Sequence, residues 1–136
     1  MATLNKFNSF VDALCKKQHN LNTDVLKVML TDTAPSATNT VPSNITEISA
    51  GNGYSTGGYT TTQTLSNSSG TEKLILSNVT VTASGGAIAQ WRYAVLYNST
   101  ASLLIGWADA NAEINLATGA TETIAFDATN GALQLV

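Results

Sequence analysis

The stretch Ile88-Ala89-Gln90-Trp91-Arg92-Tyr93-Ala94-Val95-Leu96-Tyr97 is dense in aromatic and aliphatic side chains. A run of this composition, bounded by turn signals, predicts a strand that lies in the middle of a sheet. Ser84-Gly85-Gly86 supplies a turn before it, and the polar residues 98–102 supply a turn after it. The fold is therefore expected to be built from strands around this segment.

Short alternating segments flank this stretch in both directions. The apolar positions change parity between Leu76 and Val79, which predicts a bulge or kink near Ser77-Asn78. The Thr-rich composition of the segment that starts at residue 59 is typical of an edge strand. Strands are predicted at residues 25–30, 59–65, 73–82, 103–108, 114–116, 121–126 and 133–135.

One helix is predicted ahead of the strands. Phe7, Phe10, Val11 and Leu14 lie at positions i, i+3, i+4 and i+7, which gives one apolar stripe at the helical period. The helix is expected to run from about residue 6 to about residue 18.

A long segment, residues 31–58, follows the first predicted strand and contains both prolines, Pro35 and Pro42. Ile45 and Ile48 lie three residues apart, which predicts a single helical turn inside it. Loops of this length are uncommon in compact domains and are often functional. We therefore expect this segment, together with the N-terminal arm, to reach toward a partner.

The chain has 136 residues, the length of one ordinary domain. We predict an all-β fold, an antiparallel β-sandwich or jelly-roll-like barrel, with one short N-terminal α-helix. Residues 1–136 are expected to form a single domain. Within it, residues 1–22 are assigned to the helix and arm, and residues 23–136 to the β domain.

The surface is expected to be polar but poorly charged. Only 11% of the residues are charged and the net charge is -3, whereas about a quarter are charged in a typical soluble protein. Six Lys and Arg residues offer few phosphate contacts, so nucleic acid is not an expected partner. No signal peptide or membrane-spanning run is predicted, so no membrane partner is expected either.

The chain has few residues that could serve in nucleophilic catalysis or as metal ligands. His19 and Cys15 are the single histidine and the single cysteine, whereas a zinc site needs three or four ligands and a triad needs a serine and a carboxylate as well. We predict a surface histidine near the helix end and a half-buried, unreactive cysteine. The glycine-rich residues 51–58 lack the lysine of a phosphate loop and are expected to be a flexible loop.

Carboxylates offer one pair worth testing. Asp109 and Glu113 lie four residues apart, but the Ala-rich surroundings of Asp109 predict an exposed turn rather than a glycosidase cleft. Asp24, Asp32 and Asp127 are scattered, which argues against calcium, and Asp127 is expected to accept backbone hydrogen bonds in a turn. No catalytic, cofactor-binding or metal-binding residue is predicted, and no cofactor.

Aromatic side chains leave two interpretations open. Trp91, Tyr93 and Tyr97 share one parity on the predicted central strand, and Trp107 lies on the next strand. Exposed, they would form a stacking platform for sugars; buried, they belong to the core or to a subunit interface. The core or interface interpretation is favoured, because same-face aromatics on a central strand usually serve packing.

A family resemblance is carried by short phrases spread over nearly the whole chain. They include Asp24-Val25-Leu26-Lys27-Val28, Thr31-Asp32-Thr33-Ala34-Pro35, Ile45-Thr46-Glu47-Ile48, Gly51-Asn52-Gly53-Tyr54, Arg92-Tyr93-Ala94-Val95-Leu96-Tyr97-Asn98 and Leu104-Ile105-Gly106-Trp107. In these phrases the chain resembles a family of small virion proteins of tailed phages.

The resemblance implies a non-enzymatic structural protein. The role that it favours is a decoration, or cement, protein that binds the outside of a tailed-phage capsid and stabilises it. The implied partners are the major capsid protein and copies of the chain itself, a trimer being one such assembly. The implied location is the virion, after synthesis in the host cytoplasm. A tail or connector component and a carbohydrate-binding module on the particle surface are the alternatives.

Overall fold

The computed structural model describes residues 4–136, and its central feature is a five-stranded antiparallel sheet. The strand predicted at 88–97 is confirmed as the middle strand of this sheet, and its apolar side chains enter clusters on both faces. In spatial order the sheet contains β1 (Asn5–Lys6), β8 (Leu103–Leu116), β7 (Ile88–Asn98), β2 (Leu26–Thr31) and β3 (Tyr59–Thr61).

Two smaller sheets pack against one face of the central sheet. The first has three strands in the order β10 (Leu133–Leu135), β5 (Thr71–Leu76) and β4 (Gln63–Ser68). The second pairs β6 (Val79–Thr82) with β9 (Thr121–Ile124). The protein is therefore all-β and sandwich-like with one short helix, as predicted.

The prediction of one kinked strand over residues 73–82 is wrong. Residues 71–82 form two strands, β5 and β6, which belong to different sheets. The change of parity at Ser77-Asn78 marks the place where the chain leaves one sheet and enters the other. Apolar and polar residues alternate within each strand, because each buries one face in the same core.

The prediction of an exposed turn around Asp109 is also wrong. Residues 103–116 form one strand, β8, that pairs with β7 over most of its length. Asn111 takes a positive φ of 63° and lies where the register between β7 and β8 shifts. Pairing with the buried β7 thus outweighs the poor strand propensity of alanine.

The helix, α1, spans Asn8–Cys15 and is shorter than predicted. Phe7 keeps an extended backbone because its N–H donates to the carbonyl of Ile105 in β8. Val11 is 42% exposed, so the buried stripe runs through Phe10 and Ala13 instead. Cys15 is exposed, and the prediction of a half-buried cysteine is therefore wrong.

Residues 32–46 cross the opposite face of the central sheet, whereas residues 47–58 lie beside β2, with Tyr54 buried in the same core as β5 and β6. The segment leaves β2, reaches β8 where Leu104 N–H donates to the Thr40 carbonyl, and returns beside β2 at Glu47 and Ile48. The predicted helical turn near Ile45 and Ile48 is wrong in position, because a single 3₁₀ turn forms at Pro42–Asn44. The proline explains this placement, since its fixed φ suits the first position of such a turn.

The two faces of the central sheet carry separate apolar clusters. The strand-covered face holds Val28, Leu30 and Leu96 against β5, β6, β9 and β10. The loop-covered face holds Met29, Val95 and Leu104 against Phe7 and Ile45. Between residues 4 and 136, no helix is long and apolar enough to span a membrane.

Candidate functional site

His19 lies between α1 and β2 and is buried, with 6% of its surface exposed. Its ring packs against Phe10, with the ring centroids 5.2 Å apart. The prediction of a surface histidine is therefore wrong. The physical reason is that the chain turns back after the helix and presents His19 to the end of β7, which is distant in sequence.

Asn98, at the end of β7, holds the histidine in place. Its side-chain Nδ2 lies 3.1 Å from His19 Nδ1 and 2.7 Å from Asp24 Oδ2, while its Oδ1 accepts a hydrogen bond from Ala101 N–H at 2.9 Å. The Ala101 bond and the Asp24 bond both require the amide in this orientation. Nδ2 therefore donates one hydrogen to Asp24 and the other to His19.

These bonds define the tautomer of His19. Because Nδ1 accepts from Asn98, the ring proton of the neutral imidazole resides on Nε2. Burial lowers the pKa of His19, an effect that outweighs the opposing attraction of Asp24. The hydrogen bonds from the Asn98 side chain and from Asn20 N–H lower the pKa of Asp24. At neutral pH the site thus contains a neutral histidine and an ionised aspartate.

The Nε2–H group of His19 has no hydrogen-bond acceptor among residues 4–136, although the atom is shielded from solvent. An unpaired buried donor costs about 1–3 kcal/mol. Native proteins rarely leave such a group unpaired, and each case calls for a specific explanation. Among the same residues, the indole N–H of Trp91 is likewise buried without an acceptor.

A pocket of about 340 Å³ lies between the segment that follows α1 and the sheet of β4, β5 and β10, and His19 lines it. Lys17 and Glu72 bring charge to its wall. The remaining lining is chiefly aliphatic and comprises six leucines: Leu14, Leu21, Leu65, Leu74, Leu133 and Leu135. An apolar pocket with a few placed polar groups is the usual form of a small-molecule site.

The arrangement around His19 does not suit this residue to act as a general base. A general base needs a free lone pair on Nε2, but this nitrogen carries the proton. Asn98 stands between His19 and Asp24, so the carboxylate does not orient the ring directly as in a triad. Cys15 is exposed on the helix while His19 is buried, so the two residues do not share an environment.

The carboxylate Asp109 lies on β8 rather than in a turn. The Arg92 guanidinium binds it through two hydrogen bonds, of 2.8 Å from Nε and 3.1 Å from Nη2. These bonds, with the N–H of Asn111, lower the pKa of Asp109. Glu113 is exposed further along the same strand. Asp109 is therefore an ion-pair partner rather than a solvated loop charge or half of a catalytic pair.

Trp91 and Tyr97 are both buried, as the core interpretation predicts, with 0% and 7% of their surfaces exposed. They lie in different clusters, Trp91 on the strand-covered face and Tyr97 on the loop-covered face. The expectation that they share one face is wrong, because register shifts between β7 and β8 interrupt the alternation.

Tyr93 and Trp107 are half-buried. Trp107 packs against Phe7 with ring centroids 4.7 Å apart, and the Arg92 guanidinium lies 5.5 Å from the centre of the Tyr93 ring. With Trp91 in the core, these aromatic residues do not form the exposed platform that a sugar-binding module would present.

The glycine-rich residues 51–58 form a turn that is held by backbone and side-chain hydrogen bonds. Gly51 and Tyr54 pair through both backbone hydrogen bonds. The Glu47 carboxylate accepts from Tyr54 Oη and from Gly57 N–H, each at 2.6 Å. A carboxylate of the chain itself therefore already accepts the hydrogen bonds that Tyr54 and Gly57 offer.

The acidic residues considered for calcium are held in separate hydrogen-bonding environments. Asp127 accepts from Thr129 N–H and Asn130 N–H, so its predicted role as a turn residue is confirmed. Asp32 accepts from Gln90 on the exposed surface. Within residues 4–136, no group of three or more His, Cys, Asp or Glu side chains is placed to hold a metal ion.

Reasoning from the sequence missed the pocket and the role of Asn98. The one signal was that Asn98 directly follows the apolar run of β7, where a buried polar residue requires a partner.

Comparison of the chain with protein-family models, curated proteins and solved structures found no significant match.

Proposed function

We propose that the chain is a non-enzymatic structural protein of a tailed-phage particle, and specifically a decoration protein on the outside of the capsid. The resemblance of its short phrases to small virion proteins points to this class. One observation of the structure supports the role most directly, namely an open strand edge with no charged side chain.

That edge is the outer side of β4, Gln63–Ser68. The strand pairs with β5 on one side only, and within residues 4–136 no strand covers its other side. An open edge presents unpaired backbone N–H and C=O groups to any neighbouring strand. Proteins that stay monomeric usually protect such an edge with lysine, proline or a bulge. The β4 edge has none of these, as its residues are Gln63, Thr64, Leu65, Ser66, Asn67 and Ser68.

An uncharged hydrogen-bonding edge suits a protein that docks on a repetitive shell. Interfaces between proteins carry about one hydrogen bond per 100–200 Å², and strand addition supplies such bonds from the backbone alone. Many weak contacts, repeated over identical subunits, gain strength through avidity if each copy links its neighbours. The partners in this proposal are the major capsid protein and further copies of the chain.

The copy number of the chain in purified particles tests the proposal. Quantitative mass spectrometry against the major shell protein is expected to give a ratio near that of a shell component. A handful of copies per particle would move the role to the tail or connector. Absence from the particle would refute the structural role altogether.

The contribution of the β4 edge is tested by adding charge to it. Thr64→Lys together with Ser66→Lys places two exposed lysines on β4, and we expect at least about tenfold weaker binding to particles that lack the chain. The matched control is Ser84→Lys with Thr118→Lys, which adds the same charge at exposed positions outside the strands. Equal binding of both double variants would exclude β4 as the docking edge.

Deletion of the N-terminal segment is a poor test of docking. Phe7 and Phe10 are both fully buried, and β1 pairs with β8. Removing residues 1–18 would therefore damage the core as well as any contact with a partner. Charge substitutions on β4 avoid this problem because their side chains are exposed.

A further inference from the structure

The open edge strand β4 is chemically symmetric about Leu65. On each side of this residue the strand has first a hydroxyl residue, Thr64 or Ser66, and then a carboxamide residue, Gln63 or Asn67. An antiparallel partner runs in the opposite direction, so a second copy of β4 would present the same order of groups. We propose that two copies of the chain pair through their β4 edges, across a two-fold axis at Leu65.

This inference deepens the role proposed above and rests on it only for its setting, since it assigns the β4 edge to a second copy of the chain. Copies that are linked in this way gain avidity on a repetitive shell. The pairing itself is a property of the chain alone and is tested in solution without particles. A failure to self-associate is therefore distinct from absence of the chain from purified particles.

The backbone groups of β4 that face outward follow from its pairing with β5. Ala132 N–H donates to the Leu74 carbonyl, which therefore points toward β10. Leu65 lies opposite Leu74, so the N–H and C=O of Leu65 point away from β5. The alternation of an antiparallel ladder turns the same groups of Gln63 and Asn67 outward. Within residues 4–136, no turn, loop or cap hydrogen bond uses these six groups.

A register centred on Leu65 pairs all six outward groups. Leu65 then faces Leu65 of the second copy, and Gln63 faces Asn67 on both sides of the axis, each facing pair exchanging two backbone hydrogen bonds. A register centred on Ser66 would instead set Gln63 against Ser69. Ser69 has a positive φ of 51° in the turn that follows β4, so that register loses the pairs at both ends of the strand.

The side chains of the two strands also match in this register. The exposed Thr64 lies opposite Ser66 of the second copy, and facing hydroxyl residues stabilise a sheet. The half-buried Leu65, which lines the leucine-rich pocket, meets its own copy and buries apolar surface. Gln63 and Asn67 bring together carboxamides, which both donate and accept. Because β4 has no charged residue, no like charges face each other across the axis.

The symmetry of the contact limits the assembly to two copies. A two-fold contact uses the same surface on both partners and is complete in the dimer. It joins two three-stranded sheets into one continuous sheet. A contact through one short strand lies at the small end of protein interfaces. We therefore expect a weak dimer that depends on concentration.

Sedimentation equilibrium of the full chain, at concentrations up to about 1 mM, measures the pairing. The chain is expected to pass from monomer to dimer as its concentration rises. Thr64→Lys with Ser66→Lys is expected to weaken the dimer by at least about tenfold, because lysines then face each other across the axis. Ser84→Lys with Thr118→Lys adds the same charge at exposed positions outside the strands and is expected to leave the dimer unchanged. A chain that stays monomeric throughout would overturn the proposal, as would equal weakening by both double variants.

A variant with opposite charges tests the register. Thr64→Lys with Ser66→Glu sets a lysine opposite a glutamate on both sides of the axis and is expected to strengthen the dimer by about twofold or more. A register centred on Ser66 would set the two glutamates against each other and weaken the dimer. Thermal unfolding confirms that each variant folds, and a weaker dimer of this folded variant refutes the register centred on Leu65.

The unmodified chain gives a direct readout of the contact. In nitrogen-15 correlation spectra, the backbone amide protons of Gln63, Leu65 and Asn67 are expected to shift downfield as the protein concentration rises, because they become hydrogen-bonded. The amide protons of Thr64 and Ser66 face β5 and are expected to change less. A concentration dependence that is confined to other parts of the chain would place the contact elsewhere and refute the assignment to β4.

Discussion

The two faces of the central sheet are covered by different means. The strand-covered face meets three-stranded and two-stranded sheets and buries a large apolar cluster that includes Trp91. The loop-covered face has a small cluster around Val95 and is crossed by a segment with a single 3₁₀ turn. The segment is held instead by side-chain hydrogen bonds, such as the one from Tyr97 Oη to the Gly57 carbonyl at 2.6 Å.

This difference shows that a sheet can be covered by apolar packing of further strands on one face, and by individual hydrogen bonds and close backbone contacts of a loop on the other. In a large apolar cluster each side chain contacts many neighbours, so the surrounding structure cannot easily shift to fill a cavity. The contacts of the loop depend instead on a few places where backbone atoms lie close together and on individual hydrogen bonds. The following substitutions test whether the two faces respond as this distinction requires.

The largest effect is expected from paired leucine truncations on the two faces. Leu96→Ala on the strand-covered face is expected to cost about 4 kcal/mol of unfolding free energy, and Leu104→Ala on the loop-covered face about 2–3 kcal/mol. Both side chains are fully buried, at 1% and 0% exposure. The loss is expected to be smaller at Leu104 because the loop can move to fill part of the cavity that the truncation leaves. Urea denaturation measures both, and a larger loss for Leu104→Ala would reverse the comparison.

The next effect concerns the close contact between the backbone of Gly58 and that of β2. Gly58 has a φ of 79°, and a Cβ there would overlap the Val28 carbonyl oxygen of β2. Gly58→Ala is expected to cost more than about 2 kcal/mol, because the segment must move as well as accept left-handed strain.

Gly70→Ala is the control for backbone strain alone. Gly70 has a φ of 81°, but a Cβ there meets nothing within 4 Å. The expected cost is about 1 kcal/mol. Equal losses of stability in denaturant titrations of the two variants would show that the approach of Gly58 to β2 contributes nothing beyond its conformation.

A smaller effect is expected from the hydroxyl of Tyr54. It accepts Leu30 N–H at 3.0 Å and donates to Glu47 at 2.6 Å, and burial raises its pKa. Tyr54→Phe leaves a buried backbone donor unpaired and is expected to cost about 1–3 kcal/mol. Tyr59→Phe is the control, since its hydroxyl donates to the Gly53 carbonyl in an exposed position. Thermal unfolding that ranks Tyr59→Phe as the more damaging change would contradict this role.

The smallest effect is a pH dependence that comes from His19. Burial depresses the folded-state pKa below the ordinary value of 6.5. As the pH falls below about 6.5, the unfolded chain takes up a proton before the folded protein does. Stability is therefore lost as the pH drops from 6.5 toward the folded-state pKa, with a slope of at most about 1.4 kcal/mol per pH unit. His19→Gln should remove this slope from denaturation curves measured between pH 5 and 7, and a slope that persists would point to another group.

The sequence predicted the parts of the fold that depend on local pattern. The central strand β7 and the all-β class follow from continuous apolar runs and turn residues, and both are confirmed. The parity change at Ser77-Asn78 was visible, but parity alone cannot tell a bulge from a strand that changes sheets. The Ala-rich sequence around Asp109 suggested a turn, since its strand pairing is imposed by β7 and not by its own composition.

The candidate site was less accessible to sequence reasoning. The burial of His19 depends on Asn98, which lies 79 residues further along the chain. The pocket likewise combines leucines from the helix region with leucines of β4, β5 and β10. Apolar residues at such separations carry no common pattern, so only the tertiary structure brings them together.

The pairing of β1 with β8 also sets an order in time. Asn5 pairs with Trp107, so the first strand must wait until about a hundred further residues have been synthesised. At translation rates of about 5–20 residues per second, that delay is roughly 5–20 s. Phe7 and Phe10, both fully buried in the finished protein, have no β8 to dock against during this interval. Their exposure on the ribosome is governed by the speed of elongation, and a slower ribosome would lengthen the time in which a chaperone can bind them.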